Sequence, residues 1–526
     1  MPDTDATEST LPSLDAALPG LRPRNRLIAT IVYHPDLTRV GDYALIPRSR
    51  APIILGRETM GFRQVPGGRE RYLDEPYLSR RALCIEFTAA GLHLQREPHA
   101  SRCRVDGAEL DGDLLIDQEQ LERGVAILLA HCVVLWLAMG QEREAETEAL
   151  DYGLVGSSSY TQSLRHQLAQ VSGTDMDVLL RGATGTGKEV LARAIHASSN
   201  RSQRRMVTVN MAAIPASLAP AALFGANRGA YTGADKSRPG YFQQAAGGIL
   251  FLDEIGDAPA EVQPQLLRAL QEREIQAVGG EVTKVELRVI SATDADVDNK
   301  ESGNGFNAAL RHRLAALEIV LQPLSAHRED LGELLSYFLQ QSFAGQGRER
   351  LLTGPENTAR KVAGWANFYY ECLRCDWPGN IRQLQNACRQ VAVASRTALV
   401  VPAPLLDMFM QGAARGGPGV SEAPTVEQRL RQIADVTEEE FAKAMHEHEC
   451  EVRPVARSLN VSRQAVYRKI ASDERYRLAA DISEDELRDA LARCSGDAEK
   501  VARQLEISPS GLRARLRQEQ ALHRGP

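Results

Sequence analysis

The sequence predicts a multidomain chain: a β-sandwich, then an α/β domain with a helical lid, then an all-α block of repeats. Three observations predict it. Residues 24–140 hold short apolar runs separated by turn residues; residues 152–408 alternate apolar strands with amphipathic helices; residues beyond 426 carry one helical pattern twice. A chain of 526 residues is long enough for three or four separate cores.

The first block, 24–140, is built from "RLIATIVYH", "APIILGR", "ALCIEFTAAGLHLQRE", "CRVDGAEL" and "AILLAHCVVLWLAM", a spacing of strands that suggests a sandwich. Its longest apolar stretch, "GVAILLAHCVVLWLAMG", contains His131 and Cys132 and is short for a membrane span, so it reads as consecutive buried strands. Residues 1–23 are polar and acidic, with neither the basic nor the apolar region of a signal peptide, and read as a disordered tail. The charged stretch 141–151 reads as a linker, with a helix as one option.

Composition bounds the partners. A net charge of −7 argues against a generally basic nucleic-acid coat, but leaves room for a locally basic reading head. Eight scattered cysteines fit a reducing, cytoplasmic setting. Cys372 and Cys375 form a CxxC without a second ligand pair at a zinc spacing, and so read as small core residues.

In the second block, "LLRGATGTGKEVLARAIH" sets Gly182, Ala183, Thr184, Gly185, Thr186, Gly187 and Lys188 between an apolar strand and a helix. Backbone amides of such a loop curl round phosphates, the helix N-terminus adds positive potential, and Lys188 reaches the β/γ oxygens. Glu189 stands where the generic pattern has a Ser or Thr magnesium ligand. Downstream, "GGILFLDEIGD" ends a strand in Asp253-Glu254. One carboxylate can hold magnesium and its neighbour can orient or deprotonate an attacking water. ATP and magnesium are the expected cofactors. Residues 152–330 would form the α/β part and 331–408 the lid, with a Gly/Ala/Pro-rich tether over 409–425.

The ordered series "GATGTGKE", "VNMAAIP", "LFGANRGAYTGA", "GGILFLDEIG", "LLRALQEREIQAVGG", "RVISATD" and "WPGNIRQLQN" resembles the AAA+ domain of bacterial enhancer-binding proteins, the ATPases that activate sigma-54 RNA polymerase. The resemblance spans about 150–400. It implies a ring, a hexamer with a dimer as a resting form, and a loop, Gly229, Ala230, Tyr231, Thr232, Gly233 and Ala234, that presses on the sigma factor. It also implies that Asn210 restrains Glu254, that Arg382 contacts nucleotide from the lid, and that Arg313 reaches the ATP of a neighbouring subunit. Three positions depart from the family pattern: Asp294 for a sensor Asn, Asn307 for the first of two arginines of which Arg313 is the second, with substitution by Arg311 left open, and Ala222 for Glu. They leave open a chain that binds ATP and DNA without turnover. A regulator that ignores sigma-54 is a further alternative.

The pieces "ILGRE", "LSRRA" and "CRVDGAEL" resemble a forkhead-associated (FHA) domain, which binds phosphothreonine peptides. The resemblance implies that Arg57 and Ser79 touch phosphate, that Arg80 adds charge, and that the partner is a threonine-phosphorylated protein. Ala82 replaces a structural His of that pattern, and the Asn that grips the peptide is replaced near Arg102-Cys103; a docking or dimerisation module is the alternative.

The last block repeats without a gap. "VTEEEFAKAMHEHECEVRPVARSLNVSRQAVYRKI" starts at Val436 and "ISEDELRDALARCSGDAEKVARQLEISPSGLRARL" at Ile482, giving units over 426–475 and 476–526. Each copy resembles a Fis-type helix-turn-helix. The first offers Ser462, Arg463, Gln464, Tyr467, Arg468 and Lys469 to double-stranded DNA at an enhancer, and the second Arg513, Arg515 and Arg517, a more uniformly basic set.

Overall fold

Ten short strands open the computed structural model, which describes residues 25–49, 51–64, 67–143, 152–230, 237–294, 306–353, 358–413, 436–448 and 498–505, with isolated positions between 455 and 512. The strands are β1 (Arg26–Tyr33), β2 (Tyr43–Ile46), β3 (Ile53–Leu55), β4 (Leu83–Phe87), β5 (Leu92–Arg96), β6 (Cys103–Val105), β7 (Ala108–Glu109), β8 (Asp113–Ile116), β9 (Val125–Leu129) and β10 (Val133–Gly140). They form two antiparallel sheets, ordered β2-β1-β10-β9-β6-β7 and β3-β4-β5-β8. The expected pair of buried strands is β9 and β10. A short helix, α1 (Gln118–Arg123), precedes β9 and is closed at its start by a capping box from Asp117.

The larger sheet is covered on both faces. Ile31, Ile127, Leu129, Leu135 and Leu137 point into the sandwich. Val32, Ala126, Leu128, Val134 and Trp136, on the alternate positions, enter a second core shared with the lid. That two-sided burial is why the β9–β10 run is apolar almost throughout. Polar contacts lock the same junction: the Gly107 amide donates to the Tyr370 hydroxyl at 2.6 Å, and Arg104 donates to Asn367 at 3.2 Å.

The α/β part is a parallel sheet of β11 (Val178–Arg181), β12 (Met206–Asn210), β13 (Ile249–Asp253), β16 (Arg288–Thr293) and β17 (Glu318–Val320), ordered β12-β13-β16-β11-β17. A hairpin, β14 (Glu274–Gln276) and β15 (Val282–Lys284), stands apart. Its helices include α2 (Ser159–Ser172), α3 (Lys188–Ala197), α4 (Ala219–Phe224), α5 (Gln263–Gln271) and α6 (Ala308–Leu314), with one further short turn of helix at Tyr241–Gln244. Alternate residues of β13 feed cores on opposite sheet faces, Leu250 and Leu252 on one and Ile249 and Phe251 on the other. The lid is α7 (Leu331–Ala344), α8 (Ala359–Arg374), α9 (Asn380–Ala394) and α10 (Ala403–Ala413). Helix α10 runs past the expected boundary at 408, because Leu405 and Phe409, one turn apart, are buried on the lid. Cys372 and Cys375 are free thiols buried in this core, as expected.

Contacts divide the chain into two units, 1–418 and 419–526. Sandwich, α/β part and lid therefore belong to one unit, although the sequence reads as separate domains there. In the second unit, Val436, Phe441, Ala444, Val455, Leu459 and Val466 form one small core. Ile482, Leu487, Ala490, Val501, Leu505 and Leu512 form another. These are the same positions of the two sequence repeats, so the duplication holds at the level of packing. Helices α11 (Glu438–Glu447) and α12 (Ala498–Gln504) lie in the first and second copies. No helix among the described residues is long and apolar enough to cross a membrane.

Candidate functional site

The Gly-rich loop joins β11 to α3. Gly187, at φ 104°, turns the chain so that Lys188 becomes the first helical residue. The lysine ammonium donates to the Gly182 carbonyl at 2.8 Å, and the Thr186 hydroxyl to the Ala183 carbonyl at 2.8 Å. The loop thus folds on its own carbonyls, with its amides and a buried cation gathered at the helix N-terminus, an arrangement suited to phosphate. Glu189 ion-pairs with Arg193 at 2.6 Å one turn along α3.

Two strands away in the sheet, β13 delivers Asp253 and Glu254 to the same end. Glu254 sits at φ 51°, a left-handed conformation uncommon for a non-glycine residue and concentrated at functional sites. Burial raises the Asp253 carboxyl above its usual range, against the pull of Lys188. Burial also raises Glu254, and a hydrogen bond with Asp294 raises it further. Asp294 follows β16. The Thr184 hydroxyl donates to its carboxylate, which holds Asp294 below the usual range. The departure from the sensor Asn therefore sets a second carboxyl beside Glu254, with Glu254 pushed up and Asp294 pushed down from their ordinary values. Asn210 pairs with Asp253 in the β12–β13 register, and its side-chain oxygen accepts from the Ala213 amide at 3.2 Å. Asp253, among Lys188, Glu189 and Arg382, offers the hard oxygen donor that magnesium requires.

The lid closes on the loop. The Arg382 amide donates to the Gly185 carbonyl at 3.2 Å. Gly185 has φ 82°, and a Cβ there would lie 2.3 Å from the Gly379 carbonyl oxygen, so the approach requires glycine.

Arg313 lies elsewhere. Its guanidinium donates to the Leu270 carbonyl at 3.0 Å and stands 3.7 Å from Asp177. Asp177 precedes β11 whereas the loop follows it, which separates the two by about 16 Å at about 3.3 Å per strand residue. Arg313 is thus at the far end of the strand from its own loop. Asn307 N-caps α6, accepting from the Ala309 and Leu310 amides at 2.9 and 3.1 Å. That explains an Asn at this departure: the helix start uses its side chain. Ala222 lies within α4.

Of the loop expected to press on a sigma factor, Gly229 and Ala230 are described; Tyr231, Thr232, Gly233 and Ala234 lie outside the described residues. Its stem is closed by reciprocal backbone bonds between Ala226 and Arg238, at 3.0 and 2.9 Å. Val278, between β14 and β15, adds bonds to Gly225 and Asn227. The hairpin buttresses the loop, a link that sequence reading missed.

At one end of the sandwich, Arg57, Ser79 and Arg80 come together. The Arg57 amide donates to the Ser79 carbonyl at 3.0 Å, and its guanidinium to the Leu78 carbonyl at 3.0 Å. Ser79 and Ser101 exchange backbone-to-hydroxyl bonds at 2.8 and 3.2 Å, and Arg80 is exposed. Ala82 is buried. Sequence reading also missed Ser101, which this exchange places beside Ser79. In the second unit, Lys469 pairs with Glu438 at 2.6 Å. Ser462, Arg463, Gln464, Tyr467, Arg468, Arg513, Arg515 and Arg517 lie outside the described residues.

Comparison with known proteins bears on the same regions. A family model described as the sigma-54 interaction domain matches residues 154–320, and one described as the AAA+ ATPase lid domain matches 325–420. The transcriptional regulatory protein ZraR of Klebsiella oxytoca is 36% identical over 358 residues, covering 68% of this chain and 76% of that protein. The DNA-binding transcriptional regulator NtrC of Escherichia coli (strain K12) is 38% identical over 254 residues, 48% of this chain and 52% of that protein. A solved structure of NtrX from Brucella abortus in complex with ATP aligns at 30% identity and a TM-score of 0.41, covering 61% of this chain and 69% of that one.

Proposed function

The chain belongs to the sigma-54-dependent family of AAA+ transcriptional regulators, and from that premise we propose that it hydrolyses ATP to remodel sigma-54 RNA polymerase holoenzyme from an enhancer-bound ring. The observation that carries this reading is the stem Ala226–Arg238, which ties the "GAYTGA" segment to the β14–β15 hairpin of the ATPase. A loop anchored this way passes movement of the nucleotide domain to whatever its tip touches.

Each residue then has a task. Loop amides 182–187 and Lys188 bind the phosphates, and Asp253 holds magnesium, which would neutralise charge developing on them. Glu254 orients and activates the attacking water, with Asn210 restraining it between cycles. Arg382 contacts nucleotide from the lid. Arg313 serves the site of a neighbouring subunit, a reading supported by its distance from its own loop. Tyr231 and Thr232 meet the sigma factor. The two C-terminal repeats bind DNA as helix-turn-helix modules, through Arg463, Gln464 and Arg468 in the first and Arg513, Arg515 and Arg517 in the second.

The sandwich acts as an FHA-like receptor for a threonine-phosphorylated protein. The Arg57, Ser79 and Arg80 cluster supports this reading: a fixed guanidinium, hydroxyls and an exposed cation suit a phosphate dianion.

The test is promoter opening by sigma-54 holoenzyme with the purified full chain and ATP. Opening that needs ATP and is lost in Thr232→Ala, with hydrolysis retained, supports the proposal. ATP binding without hydrolysis in the wild type would support the reading in which the engine has lost turnover. Opening unaffected by Thr232→Ala would favour action independent of sigma-54.

A further inference from the structure

Asn380, two residues before Arg382, opens α9 and is 4% exposed at φ 51°, the left-handed region that Asn tolerates better than most side chains. Its side-chain amide makes two bonds to distant parts of the chain. Nδ2 donates to the Thr184 carbonyl at 3.0 Å, and Oδ1 accepts from the Leu324 amide at 2.9 Å. Thr184 belongs to the phosphate loop. Leu324 lies where the chain leaves β17 for the lid. One amide therefore joins the phosphate loop, the crossing into the lid and the first turn of the lid helix that carries Arg382.

Thr184 is held from both sides. Its hydroxyl goes to Asp294 and its carbonyl to Asn380. One residue on, the Gly185 carbonyl takes the Arg382 amide, and Gly185 itself packs on Gly379. The loop that must wrap the phosphates is thus set by the lid, and a lid that shifts must drag or release it.

We propose that Asn380 is a positioning residue for ATP, a strap that holds the phosphate loop in register with the lid so that both close on the nucleotide together. The residue type follows from the geometry: the position needs left-handed backbone, one donor and one acceptor on a short planar group, and burial without charge. Asn meets all four.

Two full-length variants test this. Asn380→Gly accepts the backbone and loses both bonds; Asn380→Asp keeps the acceptor towards Leu324 and loses the donor towards Thr184. The readouts are the Kd of a fluorescent ATP analogue, KM and kcat for ATP, and Tm. A strap predicts Kd and KM raised about tenfold in both variants, the effect of about one buried hydrogen bond, with kcat at saturation within twofold. An unchanged Kd and KM in Asn380→Gly overturns the proposal, whatever happens to Tm, because a merely structural asparagine would lower Tm alone. Should Asn380→Gly fail to fold, Asn380→Asp decides by the same readouts. Kd does not depend on turnover, so the test stands apart from the question of promoter opening.

Discussion

Arg313 lies 3.7 Å from Asp177, a buried carboxylate that also takes Arg273 at 2.9 Å and the Val289 amide at 2.9 Å. That anchor lies at the end of β11 opposite the phosphate loop, so Arg313 stands remote from the nucleotide site of its own subunit, as the proposed role in a neighbour's site requires. Arg313→Ala is expected to cut ATP turnover by about 10³-fold or more while leaving ATP binding within a few fold, since an arginine finger stabilises the transition state. Mixing it with Glu254→Gln discriminates further. A subunit with an intact site beside one with an intact Arg313 restores turnover if the arginine acts in trans. No recovery on mixing would place its action within one subunit.

Asp294 bears on the acid–base state of Glu254. Burial comes first in raising Glu254, and the Asp294 hydrogen bond adds to it. A general base must be ionised, so kcat is expected to rise with pH through the raised Glu254 pKa. Asp294→Asn removes the neighbouring carboxylate, letting Glu254 ionise at lower pH. The rising limb of the kcat profile should move to the acid side, with turnover roughly two- to fivefold higher on that limb. A limb that stays in place would mean that Asp294 does not govern Glu254.

The sequence made some of this legible and hid the rest for physical reasons. The phosphate loop and the Asp253-Glu254 turn are local: their glycines, lysine and carboxylates are contiguous, and the flanking apolar runs announce the strands. The repeat in the last block is legible for the same reason, and equivalent positions, such as Val455 and Val501, do build the two cores. The Asn380 bond to Thr184 joins residues 196 apart, and no pattern along the chain marks it. The sandwich–lid junction was hidden too. In β10, Val134 and Trp136 look like neighbours of Leu135 and Leu137, and only the fold shows that the first pair meets the lid and the second the sandwich interior. Asn307 read as a departure from a catalytic pattern, and the sequence did not show that its side chain also caps a helix.

Gly332 tests that junction. It lies in the first turn of α7, where Ala would ordinarily gain about 1 kcal/mol of helix propensity. A Cβ at Gly332, however, would lie 2.3 Å from the Val32 carbonyl oxygen of β1. Backbone cannot yield as a side-chain tip can, so Gly332→Ala should destabilise by roughly 1–3 kcal/mol and open the junction to proteolysis. Gly345→Ala, at the other end of the helix, is the control. Its Cβ would meet atoms no closer than 3.5 Å, so it should be neutral or slightly stabilising. Equal behaviour of the two variants would deny the close contact.

Glu333, on the next residue of α7, makes the same junction sensitive to pH. Its carboxylate accepts from the Ser157 amide and hydroxyl at 2.9 and 2.7 Å and lies beneath Gly41. Burial, then the charge of Asp330, raise it from 4.5 to about 7, while the bonds from Ser157 and the Arg143 charge pull the other way. The folded state therefore holds this proton more tightly than the unfolded chain. Its contribution to stability is complete below pH 4.5 and declines as pH rises to about 7, beyond which the full cost of the buried charge is felt. Glu333→Gln keeps an acceptor for Ser157 and removes the charge. Relative to the wild type it should be unchanged near pH 4.5 and gain roughly a few degrees in Tm near pH 8, with the difference growing between those limits. Urea unfolding of both proteins across that range measures it. A difference that shrinks as pH rises would mean that the ionised Glu333 is held favourably by Arg143 and that the junction is an ion pair rather than a buried acid.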